Sequence, residues 1–265
     1  MIIDFHTHIF PDKIAHRTIE HLSQVGGIQP ASDGTLEGLK NSMKETGVDL
    51  SVILPVVTKP EQFDNVNRFA KEINDIYKGN TLLSFGGIHP DCTDYKHKLR
   101  QIKEMGLKGI KIHPDYQGVM IDDKRFMNII EYADALDLII ITHAGIDIGL
   151  PEPVHCPPDK MRTVYDKIKP KKMVLAHYGG WKQWEMVYDY LAGTEMYFDT
   201  AFTLDFIENE WFYKILDKHG AKRILFATDS PWSDAKKGID YIRQLNIPEE
   251  SKNMILYENA QKLLK

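Results

Sequence analysis

Asp4, His6 and His8 stand on alternate positions of "MIIDFHTHIF", the first stretch of the chain. In an extended strand successive side chains point to opposite faces, so the two imidazoles share a face; Asp4 shares it a step deeper in the barrel, where it suits support of a ligand histidine rather than ligation. Two rings aimed from one strand can converge on a single ion. Further candidates recur downstream at the ends of short apolar runs: His89 in "GGIHP", His113 in "GIKIHP", His143 in "THAG", His177 in "LAHYGG" and Asp229 in "TDSPW". Each part also has a plain structural reading. A His-x-His pair is commonly accidental, His143 could bond to backbone, and Asp229 could cap a helix.

The elements that must position these residues decide between the readings. The runs "MIIDFH", "DLSVILPVV", "TLLSFGGI", "LKGIKIH", "LIIITH", "KMVLAH", "EMYFDT" and "RILFAT" read as strands. Amphipathic stretches such as "PEQFDNVNRFAKEINDIYK", "DKRFMNIIEYADALD" and "LDFIENEWFYKILDKHG" separate them, with apolar residues at helical intervals. Thr35, Asp94 and Asp122 suit N-caps, and Gly47, Gly106 and Gly220 suit helix ends. Eight strands each followed by a helix in a chain of 265 residues give an α/β fold, a (β/α)8 TIM barrel, as a single domain over residues 1–265. An open doubly wound sheet would be expected to carry a glycine-rich phosphate turn after strand 1, and "HTHIFPDKIA" has none. The long connection from strand 1 to strand 2 holds one extra helix, "TLEGLKNSMKETG", and the tail "PEESKNMILYENAQKLLK" closes the barrel as a last helix.

In such a barrel the active site lies at the C-terminal ends of the strands. Six of the eight expected strands deliver a His or Asp to that rim. His143 from strand 5 and Asp229 from strand 8 would complete a set with His6 and His8 across the mouth. Three nitrogens and an oxygen suit one divalent ion: Zn2+ first, with Mn2+ and Fe2+ as alternatives.

Taken together, "DFHTH", "GIKIHP", "THAG", "LAHYGG" and "TDSPW" resemble the amidohydrolase superfamily over essentially the whole chain. The branch they resemble most is the amidohydrolase-related one that includes aminocarboxymuconate-semialdehyde decarboxylase and the resorcylate decarboxylases. The resemblance implies that His6, His8, His143 and Asp229 hold the metal. It implies that Asp229 also handles the proton of a bound water, and that His177 stays off the metal and works on water or substrate. In two-metal relatives a strand 4 lysine is carboxylated and bridges the ions; Lys111 holds the matching position, although this branch is typically mononuclear. By analogy a homodimer is expected.

A divalent ion acidifies its bound water toward neutral pH. Asp229 beside that water can take its proton and return it to a leaving group, while His177 steadies a carbonyl oxygen. The first expectation is therefore a metal-dependent hydrolase of a small amide, ester or lactone. The alternative is a metal-dependent non-oxidative decarboxylase of a small, flat carboxylic acid. An acidic substrate calls for a cationic clamp, yet no arginine occurs between Arg17 and Arg68, which leaves Arg162. The expected pocket further includes His89, Lys111, His113, Trp181 and Trp232, with Phe10 and Phe202 as other aromatics near strand ends. His155 and Cys156 sit in the proline-rich loop after strand 5; a cysteine nucleophile is set aside because metal chemistry already supplies the attacking group.

Composition agrees with a small-molecule enzyme. A net charge of −5 speaks against nucleic acid. No apolar run is long enough to span a bilayer, and the N-terminus lacks the pattern of a secretory signal. Two cysteines are too few for a disulfide framework and suit a reducing cytoplasm.

Overall fold

The short β-branched runs become strands that are buried on both faces, as a parallel barrel jacketed by helices requires. The computed structural model describes residues 1–265. Strand 1 is Ile3–Thr7, strand 2 Leu50–Ile53, and strand 3 comes in two pieces, Leu82–Ser84 and Gly86–Gly87. Strand 4 is Gly109–Ile112, strand 5 Ile139–Thr142, strand 6 Met173–Leu175, strand 7 Tyr197–Asp199 and strand 8 Ile224–Leu225. Every neighbouring pair is parallel. Phe85 N donates to Ile53 O at 2.9 Å and carries strand 3 across its break. Phe5 N to Phe226 O at 2.9 Å and Asp229 N to His6 O at 2.8 Å tie the last strand to the first, which closes the ring.

Side chains sort by parity. Phe5, Val52, Phe85, Ile139, Ile141, Val174 and Leu225 fill the barrel. Ile53, Ile110, Ile140, Leu175, Phe198 and Phe226 belong to the larger core of 51 buried residues between the strands and the helices. Strand 1 breaks this order. Its register with strand 2 shifts between Asp4 and Thr7, and Asp4 Oδ1 accepts from His6 N at 3.3 Å within the irregularity. The shift lets the adjacent residues Phe5 and His6 both face the barrel interior, and it leaves Asp4 on the other face beside Thr228. A bulge re-aims a side chain in this way at the cost of local pairing. Plain alternation, which groups Asp4 with the two histidines, does not hold here.

The excursion between strands 1 and 2 contains α1 (Asp12–Gly26) and the extra helix expected there, α2 (Leu36–Thr46). Pro11 precedes α1, and Ala15 and Ile19 bury its inner face. Thr35 caps α2 by accepting from Gly38 N, and Gly47 ends it with φ 77°. Helices α3 (Phe63–Tyr77), α4 (Tyr95–Glu104), α5 (Pro114–Gln117), α6 (Lys124–Ala135) and α7 (Pro158–Ile168) follow strands 3 to 5 or precede them in turn. Asp123, not Asp122, caps α6 through Arg125 N; Asp122 instead reaches Lys160 at 3.1 Å. A short α8 (Trp184–Met186) leads into a widened turn, and α9 (Asn209–His219) runs back to strand 8. No helix is long and apolar enough to cross a membrane.

His219, the last residue of α9, lies flat on Phe198 with ring centroids 3.8 Å apart and accepts from Gly193 N at 3.2 Å. Its Nε2 is buried without a partner. Burial lowers the ring's pKa from 6.5 to about 4. Between those values the unfolded chain binds the extra proton, so this contribution is whole above pH 6.5 and is lost as pH falls to about 4. The expected acid loss from this group is roughly 3 kcal/mol. His219→Gln should flatten that part of the slope when urea unfolding at pH 7 is compared with pH 4.5.

Candidate metal centre

Strand 1 and the end of strand 8 bring three electron-rich atoms into one small triangle. His6 Nε2 lies 3.1 Å from His8 Nε2, and Asp229 Oδ1 lies 3.2 Å from the first and 3.1 Å from the second. The other nitrogen of each ring is committed. His6 Nδ1 donates to Asp199 Oδ2 at 2.9 Å, and His8 Nδ1 donates to the Leu54 carbonyl at 2.8 Å. Both Nε2 atoms therefore present lone pairs, to each other and to a carboxylate. Burial holds the His6 ring below its ordinary pKa, with the Lys111 charge adding to the effect. Burial by itself would raise Asp229, but His6, His8 and His177 outweigh it and bring the carboxyl down to about 2. A neutral His6 ring and an ionised Asp229 carboxylate are protonation states a divalent ion needs, and the donor set fits Zn2+, Mn2+ or Fe2+.

Backbone strain marks the same place. Asp229 has φ 63° and His177 φ 58°, in the left-handed region that non-glycine residues rarely occupy. Asp4 helps to hold the first: Thr228 N donates to its Oδ1 at 3.0 Å and Thr228 Oγ1 to its Oδ2 at 2.6 Å, immediately before Asp229. Burial raises the Asp4 carboxyl to about 7. Asp199, on strand 7, holds the second. Its Oδ2 takes the His6 ring while its Oδ1 accepts from His177 N and Ala201 N, both at 3.0 Å. Sequence reading passed over Asp199, although its position at the end of "EMYFD" matches that of Asp229 after strand 8.

His177 sits off the triangle. Its Nδ1 donates to the Ala201 carbonyl at 2.8 Å and its Nε2 faces His143 Nδ1 at 3.0 Å. His143 is packed beside the three converging atoms rather than among them; its ring stacks on His113, with centroids 4.2 Å apart. Lys111 is 1% exposed, and its Nζ reaches His6 Nε2 at 3.1 Å. Burial brings its ammonium down to about 8, against the pull of Asp199 and Asp229.

The remaining pocket candidates divide. His113 stacks between His143 and Tyr116, the latter with centroids 4.0 Å apart and planes 6° from parallel. Trp181 pairs by backbone with Ala144 and Ile146 and donates its Nε1 to the Phe202 carbonyl at 3.1 Å. Gly145, at φ 83°, lies against that Trp181 backbone with no room for a Cβ. Trp232 N donates to Asp229 O at 2.9 Å, which ties the backbone of this half-buried residue to that of Asp229. His89 is buried at the rim and accepts from Asp91 N at 3.1 Å. Arg162 is different: Asp166 at 2.9 Å and the Tyr190 carbonyl at 3.0 Å hold its guanidinium on the exposed face of α7. Cys156 is fully buried, and burial pushes its thiol far up, which suits no nucleophile. Asp115 and Asp147, two buried carboxylates next to the histidine stack, were not picked out from sequence; "HPD" and "GID" carry no spacing signal.

Residues 3–265 match the family model for amidohydrolases. No curated protein matches the sequence. Among solved structures, an uncharacterised TIM-barrel protein from Bordetella bronchiseptica has a TM-score of 0.76 at 17% identity, covering 99% of this chain and 98% of its own. The 5-carboxyvanillate decarboxylase from Sphingomonas paucimobilis has a TM-score of 0.70 at 15% identity, over 100% of this chain and 98% of its own. A dihydroxybenzoic acid decarboxylase from Polaromonas sp. JS666, with bound manganese and the inhibitor 2-nitroresorcinol, has a TM-score of 0.72 at 16% identity, over 99% and 96%. At these identities the likeness establishes the shared barrel.

Asp199→Asn removes the carboxylate that fixes the His6 tautomer. Affinity for Mn2+ or Zn2+, measured by equilibrium dialysis, should fall about 10- to 100-fold, while the fold persists by circular dichroism.

Proposed function

The chain belongs to the amidohydrolase family, and from that premise we propose that it is a metal-dependent carboxy-lyase, releasing CO2 from a small, flat carboxylic acid. The observation that carries this reading is Lys111, a buried cation 3.1 Å from a nitrogen of the metal-binding triangle. An anionic substrate needs a fixed positive partner, and the arginine that could have supplied it, Arg162, is engaged on the outer surface. The flat stack of His143, His113 and Tyr116 gives a planar substrate a matching wall. The decarboxylases of 5-carboxyvanillate and dihydroxybenzoic acid that share the fold add support, and the manganese in one of them favours Mn2+ beside Zn2+.

His6, His8 and Asp229 would hold the ion, with His143 in reach as the fourth protein ligand expected from the family resemblance. When bound, a divalent ion supplies a Lewis acid that orients and neutralises substrate oxygens. Lys111 pairs with the substrate's negative charge. His177, fixed at its ring by Ala201 and at its backbone by Asp199, offers Nε2 as an acceptor to a substrate hydroxyl. Asp229, the member of the triangle that faces the mouth together with His8, is ionised at rest and relays a proton taken from solvent to the carbon bearing the carboxylate. The carbon–carboxyl electron pair then returns to the substrate and CO2 departs. Each turnover uses one proton, which Asp229 regains from solvent. Hydrolysis of an amide, ester or lactone, the first expectation from sequence, is the second reading. It would use Asp229 as the base and the same ion.

The deciding experiment supplies Mn2+- or Zn2+-loaded protein with hydroxylated benzoates, lactones and amides while CO2 and ring products are followed together. CO2 released in equal amount with the decarboxylated acid is expected; ester, lactone or amide cleavage without CO2 overturns the proposal. Asp229→Asn should lower kcat by about 10²- to 10⁴-fold. Lys111→Met should act mainly through KM for the anionic substrate, read from initial rates at saturating and limiting concentrations.

A further inference from the structure

The excursion after strand 1 reaches across the barrel mouth. Helix α1 starts just past His8 and ends at Gly26, where a Cβ would lie 3.2 Å from Ile148 Cγ2. A Cβ on Gly149 would likewise lie 3.2 Å from Val25 Cγ1. Ile148 and Gly149 belong to the loop after strand 5. In a closed ring of eight strands the first and the fifth stand opposite each other, so this contact spans the mouth above the His6–His8–Asp229 centre. Gly27, at φ 63°, then reverses the chain, and residues 28–34 return to the strand 1 side.

The two ends of this arch are held in different ways. Its feet are bonded beside the metal-binding residues: Phe10 N donates to Gly34 O at 2.8 Å, and Ala31 N donates to Pro231 O at 2.6 Å, two residues past His8 and Asp229 respectively. Ile19 packs on Gly34 so closely that a Cβ there has no room. The opposite abutment is fixed as well. Asp147 Oδ1 accepts from Gly149 N at 2.8 Å and from Leu150 N at 2.9 Å, and Ile146 N donates to Trp181 O at 3.1 Å. Between tip and abutment, however, no hydrogen bond or ion pair joins α1 to the strand 5 loop. Val25 and Leu150 remain 50% and 45% exposed, so the apolar contact is shallow. A segment with few buried apolar contacts and no polar tie opens locally while the rest stays folded.

Beneath the arch the centre is closed off: Lys111 and His6 are each 1% exposed, and His143 and His177 each 5%. A molecule the size of a benzoate reaches these side chains only when something above them moves. We infer that α1 is the gate of this site, hinged at its bonded feet and latched at its tip by Val25 on Gly149 and Gly26 on Ile148. It lifts to admit a small flat acid and closes over it, which excludes water while the bound molecule reacts. The gate rests on the reading that a small molecule meets the ion, and it serves decarboxylation and hydrolysis alike.

The latch can be locked covalently, because each pair sets its Cβ atoms near the separation of about 3.5–4.5 Å that a disulfide spans. The native Cys92 and Cys156 are buried, so a new pair supplies the accessible thiols. The full chain carrying Val25→Cys with Gly149→Cys is loaded with Mn2+ and oxidised, and its association with benzohydroxamate, a chelating probe of divalent ions, is followed by stopped flow. Cross-linking should slow association about 10-fold or more, and reduction should restore it. Gly26→Cys with Ile148→Cys should behave alike, so the result does not hang on one variant folding. Equal rates before and after reduction overturn the gate, as does failure of both pairs to cross-link or of the reduced protein to bind the probe. CO2 release is measured on the same samples; a gated probe without CO2 from the reduced protein refutes the decarboxylase reading alone.

Discussion

Three electron-rich atoms, two imidazole nitrogens and a carboxylate oxygen, are held within 3.2 Å of one another. Much of the barrel rim is arranged to enforce that contact. The Leu54 carbonyl and the Asp199 carboxylate each take the proton of one ring and so turn the other nitrogen inward. The shifted register of strand 1 puts His6 into the barrel directly after Phe5. The left-handed backbone at Asp229 and His177 costs on the order of 1–3 kcal/mol per residue. The hydrogen bonds from Asp229 N to His6 O and from His177 N to Asp199 help to meet that cost. Ring closure and site geometry thus share the same bonds: where strand 8 meets strand 1, a barrel contact is also a constraint on the centre.

Around the triangle, charge is distributed with a direction. The deep side carries Lys111 and Asp199, both fully buried, and the mouth carries Asp229 and His8. The histidine stack to one side adds a flat, weakly polar surface.

The alternation of short buried strands with amphipathic helices was enough to place the barrel and its rim in the sequence, because strand ends and helix punctuation are local signals. His6, His8 and Asp229 were legible for the same reason, each closing a strand. The bulge was not legible, since a register shift depends on the neighbouring strand and leaves the pattern "DFHTH" looking like regular alternation. Asp4 supports the centre, as expected, but through Thr228 beside Asp229 rather than through a histidine ring. Arg162 was tempting as the nearest arginine in sequence, yet α7 turns it toward Asp166 on the same helix face, a pairing of residues four apart that chain order alone does not rank above a pocket. Asp199, Asp115 and Asp147 escaped notice because an isolated aspartate carries no spacing; only the fold shows which histidine each one faces.

Asp199 has a consequence for how this barrel could acquire new chemistry. One of its oxygens holds the ring of His6, and the other holds the backbone of His177. A change at this carboxylate alters both at once, so the two cannot be tuned separately by single substitutions there. The loops after strands 4 and 5 are bound by no such double duty. Adaptation toward different molecules would therefore run through those loops, with the hub of the rim inherited unchanged from one specificity to the next.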